Sequence, residues 1–459
     1  MSNADWMQRD LAHVWHPCTK MHDHEHLPLI PIRSAQGLWL HDFEGRRYLD
    51  AISSWWVNIF GHGHPDINAA LKAQIDELSH IMIAGFTHAP LVELSERLVA
   101  LAPAGLQRCF YADNGAAAVE VALKMSQHAW RNQGREQKHR FLSLRHAYHG
   151  ETLGALGVTD IPLFSSTYAP LLQASLRVDG PDCRGLPVAQ WEAHCRQAFV
   201  RMEQALAEHA DELAAVIIEP LVQGAAGMLM YHPVYLQLLR AACDRHQVHL
   251  ICDEIAVGFG RTGTFFACEQ AQISPDFLCL SKALTAGYLP MSVVMVQESI
   301  YQLFYDRYET LKGFLHSHSY TGNALAARAA LASLDLFSSM DILARNRRQA
   351  ARIAAHGKQL SSSPHVHQLR QCGMILAFEL VDAEQKAYDW RQRRGLLLHR
   401  AARERELLVR PIGDTVYIMP PYIVEDDDID RIFAVLETSV AIACAGQRSD
   451  GADTSIALP

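Results

Sequence analysis

The chain has 459 residues, of which 49% are hydrophobic and 20% charged, a composition that excludes a mostly disordered protein. With 50 acidic against 41 basic residues, the formal net charge is −9, so a nucleic-acid partner is not expected. The length predicts a large core domain and a smaller second domain.

The sequence has no apolar run of the roughly 18 residues that a membrane span needs, and its first residues lack the apolar stretch of a signal peptide. Its 10 cysteines are scattered, without a Cys-x-x-Cys pair, which favours reduced thiols over disulfides. We therefore predict a cytoplasmic protein with no membrane partner.

Residues 1–56 contain short strand candidates, and we predict that this N-terminal segment contributes to the smaller domain. From 57 to 337, helical stretches alternate with short apolar strands, which predicts an α/β fold with a mostly parallel, helix-covered sheet. The helical stretches cover 66–80, 91–101, 116–130 and 235–246, and the strands cover 108–112, 141–144 and 215–219.

After residue 337 the pattern changes, because helices now flank strands at 374–380 and 416–419. Residues 338–445 are therefore predicted to form a smaller α+β domain. Residues 446–459 are predicted to be a disordered tail.

Two charged residues directly follow apolar strands in the predicted large domain. Asp253 comes after the strand at 248–252, and Lys282 comes just after the strand at 277–280. An isolated buried charge is costly, so the pair indicates either a shared polar ligand or a mutual salt bridge. In α/β sheets the carboxyl ends of the strands form the binding edge, which favours a ligand.

A transaminase that uses pyridoxal phosphate needs residues of these kinds. Lys282 would form the imine with the cofactor and then move a proton at the substrate carbon, while Asp253 would keep the pyridine nitrogen protonated. Tyr148 follows the strand at 141–144 and could cover the pyridine ring, although a packing tyrosine is the competing interpretation.

Two glycine-containing turns open helices and could bind a phosphate through free backbone N–H groups. The first covers residues 113–117 and includes Gly115 and Ala116; the second covers residues 319–323 and begins at Ser319. Helix capping alone would explain either turn equally well.

Residues 258–263 match the Gly-x-Gly-x-x-Gly pattern of dinucleotide-binding proteins. The match lies five residues beyond its strand and far along the predicted sheet, so we expect no nicotinamide site there. We expect instead that these glycines shape a loop carrying Arg261 into the active site.

Residues 22–26 alternate histidine with acidic residues and could in principle bind a metal ion. No second cluster with ligand spacing accompanies them, so a solvated loop is the favoured interpretation and no metal is expected.

Residues 253–263 (DEIAVGFGRTG) and 281–284 (SKAL) resemble the class III pyridoxal-phosphate aminotransferases of fold type I, and the resemblance covers nearly the whole chain. It implies pyridoxal phosphate as cofactor and an obligate homodimer with shared active sites. It also assigns Lys282 to the imine, Asp253 to the pyridine nitrogen, Tyr148 to the ring, and Gly115 and Ala116 to the phosphate.

The resemblance further assigns Ser319 to the phosphate of the neighbouring subunit, Trp55 and Trp56 to the substrate pocket, and Arg410 to a substrate carboxylate. Narrower motifs are similar to members that transfer an amino group from S-adenosylmethionine to 8-amino-7-oxononanoate in biotin biosynthesis. These motifs lie at 15–17, 53–56, 148–152, 218–220, 316–323 and 419–422.

Three positions depart from the pattern of those members: Cys18 stands in place of a tyrosine, Ala116 in place of a serine, and Glu151 in place of an aspartate. Some members with a segment like 316–323 use lysine as the amino donor. Lysine therefore stays an alternative donor, and another class III enzyme acting on an ω-amino acid or polyamine stays an alternative activity. A nicotinamide oxidoreductase and a binding protein without turnover are the remaining alternatives.

Overall fold

The computed structural model describes residues 1–445, so the predicted tail at 446–459 lies outside the described residues. The strands in chain order are β1 Ile32–Gln36, β2 Trp39–Asp42, β3 Arg47–Asp50, β4 Leu106–Ala112, β5 Arg140–Leu144, β6 Leu176–Val178, β7 Leu213–Ile218, β8 Val222–Gln223, β9 Leu229–Met230, β10 His249–Asp253, β11 Phe277–Leu280, β12 Ser292–Gln297, β13 Val366–Cys372, β14 Ile375–Leu380, β15 Leu407–Leu408 and β16 Thr415–Ile418.

The α-helices are α1 Asn3–His13, α2 Ser53–Trp56, α3 Pro65–Glu77, α4 Ala89–Leu101, α5 Gly115–Asn132, α6 Leu153–Val158, α7 Pro162–Ser165, α8 Val188–His209, α9 Val234–His246, α10 Glu298–Tyr301, α11 Ala324–Ser339, α12 Ile342–Leu360, α13 Arg394–Arg403 and α14 Asp426–Cys444. Within residues 1–445, none of these helices combines the length and the apolar character that crossing a membrane would require.

A seven-stranded sheet forms the centre of the molecule, in the order β4-β12-β11-β10-β7-β5-β6. All neighbouring pairs are parallel except those of β12, which runs antiparallel to both β11 and β4. Successive residues of β10 alternate between two hydrophobic clusters, with Leu250 and Cys252 in one and Ile251 in the other. Both faces of the sheet are covered, its inner strands β7 and β11 are apolar throughout, and the predicted α/β fold is confirmed.

Three smaller sheets accompany the central one. Strands β13, β14 and β16 form an antiparallel sheet, β8 and β9 form a two-stranded antiparallel sheet, and β1, β2, β3 and β15 form the third. In the latter sheet, β15 pairs in parallel with β3, so that Leu407 lies opposite Leu49. The N-terminal segment therefore shares a sheet with a strand from the last quarter of the chain, while the predicted domain boundaries stay a prediction.

Helix α1 was not expected from the sequence. The Ser2 hydroxyl accepts a hydrogen bond from the N–H of Asp5, and the Asp5 carboxylate accepts one from the N–H of Ser2. This reciprocal cap stabilises a helix start. The helix buries none of its residues completely.

Candidate active site

A cavity of about 280 Å³ lies beyond the carboxyl ends of β7 and β10, at the edge where ligands bind in sheets of this kind. The structure brings together six of the nine predicted site residues in its lining: Trp56, Gly115, Ala116, Tyr148, Asp253 and Lys282. The remaining lining residues are Asn114, His149, Gly150, Glu151, Glu219, Ile255, Ala256 and Val257.

Asp253 is the last residue of β10 and is 5% exposed. Its Oδ2 lies 2.8 Å from Nδ1 of His149, and its Oδ1 accepts a hydrogen bond of 3.1 Å from the N–H of Ile255. Because an ionised carboxylate can only accept, Nδ1 of His149 carries the proton in this contact. His149 therefore fixes the orientation of Asp253.

Sequence analysis gave His149 no role of its own, although it stands next to Tyr148. Its side chain is buried, and its Nε2 has no hydrogen-bond partner among the described residues. A buried histidine with one nitrogen on a carboxylate is typical of a residue that orients an active-site group. No spacing rule in the sequence links it to Asp253, which is 104 positions away.

Lys282 follows β11 and adopts a left-handed backbone conformation with φ of 46°. Its Nζ lies 4.9 Å from the ring centroid of Trp56. Burial lowers the pKa of the Lys282 ammonium, and the negative charges of Asp253 and Glu219 partly oppose this shift. A lowered pKa increases the fraction of free amine, the form that attacks a carbonyl carbon.

A direct salt bridge between Asp253 and Lys282, the other possibility raised by the sequence, is wrong. The ion-pair partner of Asp253 within 4 Å is His149, and Lys282 has no carboxylate within that distance among residues 1–445. The two groups therefore face the same cavity without neutralising each other directly.

Glu219 comes directly after β7 and is 6% exposed. Its Oε1 accepts a hydrogen bond of 3.0 Å from the N–H of Tyr148, and its Oε2 accepts one of 2.9 Å from the N–H of Gly224. Burial raises the pKa of Glu219 to about 7. Glu219 received no site role from the sequence. It nevertheless follows the apolar strand β7 directly, in the same way that Lys282 follows β11 after one serine.

The turn before α5 lies at the cavity. The Asn114 side chain caps the helix by accepting a 3.0 Å hydrogen bond from the N–H of Ala117. Because Gly115 and Ala116 are the first two residues of α5, their N–H groups have no acceptor carbonyl within the helix. These free N–H groups and the positive end of the helix dipole together form a site that favours an anion. A Cβ on Gly150 would lie 2.5 Å from that of Ala116, so only glycine allows this close approach.

Trp55 and Arg410 lie together outside the cavity lining. The Arg410 guanidinium carbon is 4.4 Å from the Trp55 ring centroid, and Nη2 donates a 3.1 Å hydrogen bond to the carbonyl oxygen of Cys18. Trp55 is 42% exposed and Arg410 is also exposed. Trp55, Arg410 and Cys18, each singled out in the sequence, therefore meet at one exposed surface.

Ser319 is exposed and does not line the cavity in the single chain. Its carbonyl oxygen accepts a 2.7 Å hydrogen bond from Nε2 of His80. At the end of the same turn, Asn323 caps α11 by accepting a 3.0 Å hydrogen bond from the N–H of Ala326. The capping interpretation of this turn is therefore confirmed, while its contact with a phosphate stays a prediction.

The expectation that Arg261 enters the active site is wrong. Its side chain is completely buried and donates hydrogen bonds to the carbonyl oxygens of Pro420, at 2.9 Å, and Asn58, at 3.1 Å. A buried guanidinium requires such acceptors. Residues 258–263 form turns and do not open a helix, so they offer no helix N-terminus to a dinucleotide.

In the histidine-rich segment, His22, Glu25 and His26 are exposed, and one donor atom of each lies within 4.8 Å of the others. The predicted solvated loop is wrong in part, because Met21–Glu25 forms a 3-10 helix in which the half-buried Asp23 pairs with Arg393 at 2.6 Å.

The residues in the cavity fit pyridoxal phosphate. A carboxylate, Asp253, is available to a protonated pyridine nitrogen, and an amine with a lowered pKa, Lys282, is available to an aldehyde. The free N–H groups of Gly115 and Ala116 suit a phosphate, and the ring of Tyr148 provides an aromatic surface.

Solved structures with similar folds include transaminases. An adenosylmethionine-8-amino-7-oxononanoate aminotransferase from Methanocaldococcus jannaschii matches with a TM-score of 0.90 and 31% identity, covering 96% of this chain and 99% of that one. An omega transaminase from Pseudomonas jessenii, solved in complex with PMP, matches with a TM-score of 0.90 and 26% identity, covering 95% and 98%.

Sequence relatives agree with this. Proteins named adenosylmethionine-8-amino-7-oxononanoate aminotransferase are 43% identical in Helicobacter pylori, covering 93% of this chain and 95% of the relative, and 41% identical in Geobacter sulfurreducens, covering 96% and 98%. The family model described as aminotransferase class-III matches residues 20–440. The chain therefore belongs to the class-III aminotransferases, which use pyridoxal phosphate.

Proposed function

We propose that the protein transfers an amino group from S-adenosylmethionine to 8-amino-7-oxononanoate, giving 7,8-diaminononanoate for biotin biosynthesis. The observation that carries this proposal is the similarity, at 41% to 43% identity and over more than nine tenths of both chains, to two aminotransferases named for these substrates. The cavity with Lys282 and Asp253 supplies the groups that the transfer needs.

When bound, pyridoxal phosphate supplies an aldehyde that takes the amino group from the donor and a ring that withdraws electrons from the substrate carbon. Asp253 would hold a proton on the pyridine nitrogen, and its carboxylate is oriented by the hydrogen bond with His149. The N–H groups of Gly115 and Ala116 would bind the phosphate, and Tyr148 would provide the aromatic surface for the ring.

Lys282 moves the proton in this proposal. With the cofactor bound, the free amine of Lys282 would take the proton from the substrate carbon and would hold it for return during the transfer. The lowered pKa of Lys282 suits this work, since the neutral amine is the form that accepts a proton.

Arg410 binds the carboxylate of the oxononanoate in this proposal, and Trp55 and Trp56 form the wall beside its chain. The support is the guanidinium stacked on Trp55 at 4.4 Å, with its remaining N–H groups at an exposed surface. A bidentate hydrogen bond from arginine is suited to a carboxylate.

The proposed active unit is a homodimer in which Ser319 binds the phosphate held mainly by the other subunit. The exposed position of Ser319, outside its own chain's cavity, supports this arrangement. A cytoplasmic location belongs to the same proposal.

Half-reactions test the amino donor. The enzyme loaded with pyridoxal phosphate is mixed with one donor at a time, and the loss of the visible absorbance of the lysine-bound cofactor is followed. S-adenosylmethionine should bleach this absorbance and lysine should not. Bleaching by lysine alone would contradict the proposed donor, and bleaching only by an ω-amino acid or a polyamine would favour the broader alternative.

Arg410→Ala tests the acceptor site. A lost charge-assisted hydrogen bond costs about 1.5 to 3 kcal/mol, so KM for 8-amino-7-oxononanoate should rise by about 10- to 100-fold. KM for the donor should change far less. Steady-state kinetics with each substrate varied in turn measures both values, and equal effects on both substrates would reject the role given to Arg410.

A further inference from the structure

The carboxylate of Glu219 holds two separate segments of the chain. One oxygen accepts the N–H of Tyr148, at 3.0 Å, and the other accepts the N–H of Gly224, at 2.9 Å. Tyr148 lies in the segment after β5, and Gly224 follows β8. Both carboxylate oxygens are therefore occupied by backbone donors and not by a side-chain cation.

Gly224 in turn supports Trp56. A Cβ on Gly224 would lie 3.0 and 3.1 Å from two atoms of the Trp56 ring, so the backbone there is in close contact with the indole. The indole Nε1 donates a 3.0 Å hydrogen bond to the hydroxyl of Tyr417. The position of Trp56, whose ring lies 4.9 Å from Nζ of Lys282, therefore depends on where Glu219 holds Gly224.

We propose that Glu219 is a positioning residue for amino transfer, which sets the separation between the two aromatic walls of the cavity, Tyr148 and Trp56. The inference rests on the aminotransferase activity of the proposed function, but not on the identity of the donor or the acceptor. It explains why a carboxylate is placed where it is buried and has no cation within 4 Å among the described residues.

This placement has a consequence for stability. An ionised carboxylate is costly in a buried site, and here the pKa of Glu219 is raised to about 7 by burial. Replacing it with a neutral group of the same shape removes that cost, which offsets the cost of leaving one backbone N–H without an acceptor. A positioning role therefore predicts loss of catalysis without loss of stability, whereas a purely structural role predicts that both fall together.

Glu219→Gln is the direct test. Glutamine keeps one acceptor oxygen, but its amide NH₂ cannot accept from the second backbone N–H, so one of the two segments is released. Misplacement of reacting groups by about 1 Å can cost about 100-fold, so kcat should fall by about 10- to 100-fold. KM should change by less than about threefold, and the melting temperature of the loaded enzyme should stay within about 3 °C of wild type.

A spectroscopic readout needs no turnover. The visible circular dichroism of the bound cofactor depends on the aromatic groups around it, so its amplitude per bound cofactor should fall in Glu219→Gln. This measurement holds whichever donor and acceptor the wild type uses, so it separates failure of this inference from failure of the proposed substrates. Glu219→Asp keeps both oxygens on a shorter side chain and should recover part of the dichroism and of kcat.

Glu254 provides a matched control. It is also a buried glutamate with a pKa raised to about 7 by burial, and it also accepts two backbone N–H groups, from Ala267 at 2.6 Å and Cys268 at 2.7 Å. It does not line the cavity. Glu254→Gln should therefore keep kcat and dichroism within about twofold of wild type.

The inference is overturned if Glu219→Gln keeps wild-type kcat and dichroism, or if Glu254→Gln loses as much of both as Glu219→Gln does. It is also overturned if Glu219→Gln and Glu219→Asp lose stability and catalysis in parallel.

Discussion

At the scale of single residues, the backbone of Gly224 lies against the indole of Trp56, and a Cβ there would be 3.0 and 3.1 Å from two ring atoms. In Gly224→Ala either the indole or the segment that Glu219 holds should therefore shift by a few tenths of an ångström. We expect kcat to fall by about tenfold or more and the tryptophan fluorescence of the cofactor-free protein to change.

Val188→Ala is the control for this substitution, because Val188 is 73% exposed and does not line the cavity. It should leave both readouts unchanged. Wild-type turnover in Gly224→Ala would show that the contact with Trp56 does not govern the reaction.

Five of the six cavity residues that the sequence identified follow an apolar strand or stand at a helix start, whereas Trp56 was assigned by the family resemblance alone. Asp253 and Lys282 were found because a charge after a buried strand is costly unless it has a function. His149 was missed because its contact with Asp253 links positions 104 apart, a distance that no local pattern spans. Arg261 was misplaced for a similar reason, since its carbonyl acceptors are far along the chain.

At the scale of elements, five strands of the central sheet were predicted because each contains an apolar run: β4, β5, β7, β10 and β11. Strands β6 and β12 and helix α8 were not predicted. Strand β11 lies where the sequence placed it, and α5 differs from its prediction by a residue or two at each end. Helix α1 was missed although Ser2 and Asp5 stand at the spacing of a capping box, the local signal that could have found it.

Strand β10 carries a buried titratable group whose effect on stability has a definite sign. His249 stacks on Trp130 with a centroid distance of 4.3 Å, and burial lowers its pKa from 6.5 to about 4. Between these values the unfolded chain binds a proton that the folded chain does not, so stability falls as the pH falls from about 6.5 to 4. The loss from this group amounts to about 3 kcal/mol.

His249→Phe keeps an aromatic ring in the stack but cannot titrate. Its melting temperature should therefore fall less than that of the wild type between pH 7.5 and pH 4.5, as measured by scanning calorimetry at matched ionic strength. His22→Phe, at a site where the side chain is 69% exposed, should keep the wild-type pH dependence. Parallel curves for His249→Phe and wild type would contradict the assignment.

At the scale of the whole molecule, distant segments meet around the cavity. The indole of Trp56, from the N-terminal region, donates to the hydroxyl of Tyr417, and β15 pairs with β3. Arg261 connects the central region to Pro420 and Asn58 through its buried guanidinium. The sequence predicted the strands and helices of the two domains, but it did not predict how the domains pack around the cavity. The contacts that determine this packing join side chains hundreds of positions apart.

The segment before α11 is a candidate interface for the proposed homodimer. Tyr308, Leu311 and Leu315 are 88%, 78% and 98% exposed in the single chain, and burying such side chains is favourable. Leu315→Asp should therefore weaken the proposed dimer by about tenfold or more, measured by analytical ultracentrifugation over a range of concentrations. If Ser319 binds the phosphate across the interface, the same variant should also release pyridoxal phosphate more readily on dilution.

Val188→Asp, at a residue on α8 that is 73% exposed, should change neither property. A Leu315→Asp protein that stays dimeric and keeps its cofactor like wild type would place the interface elsewhere.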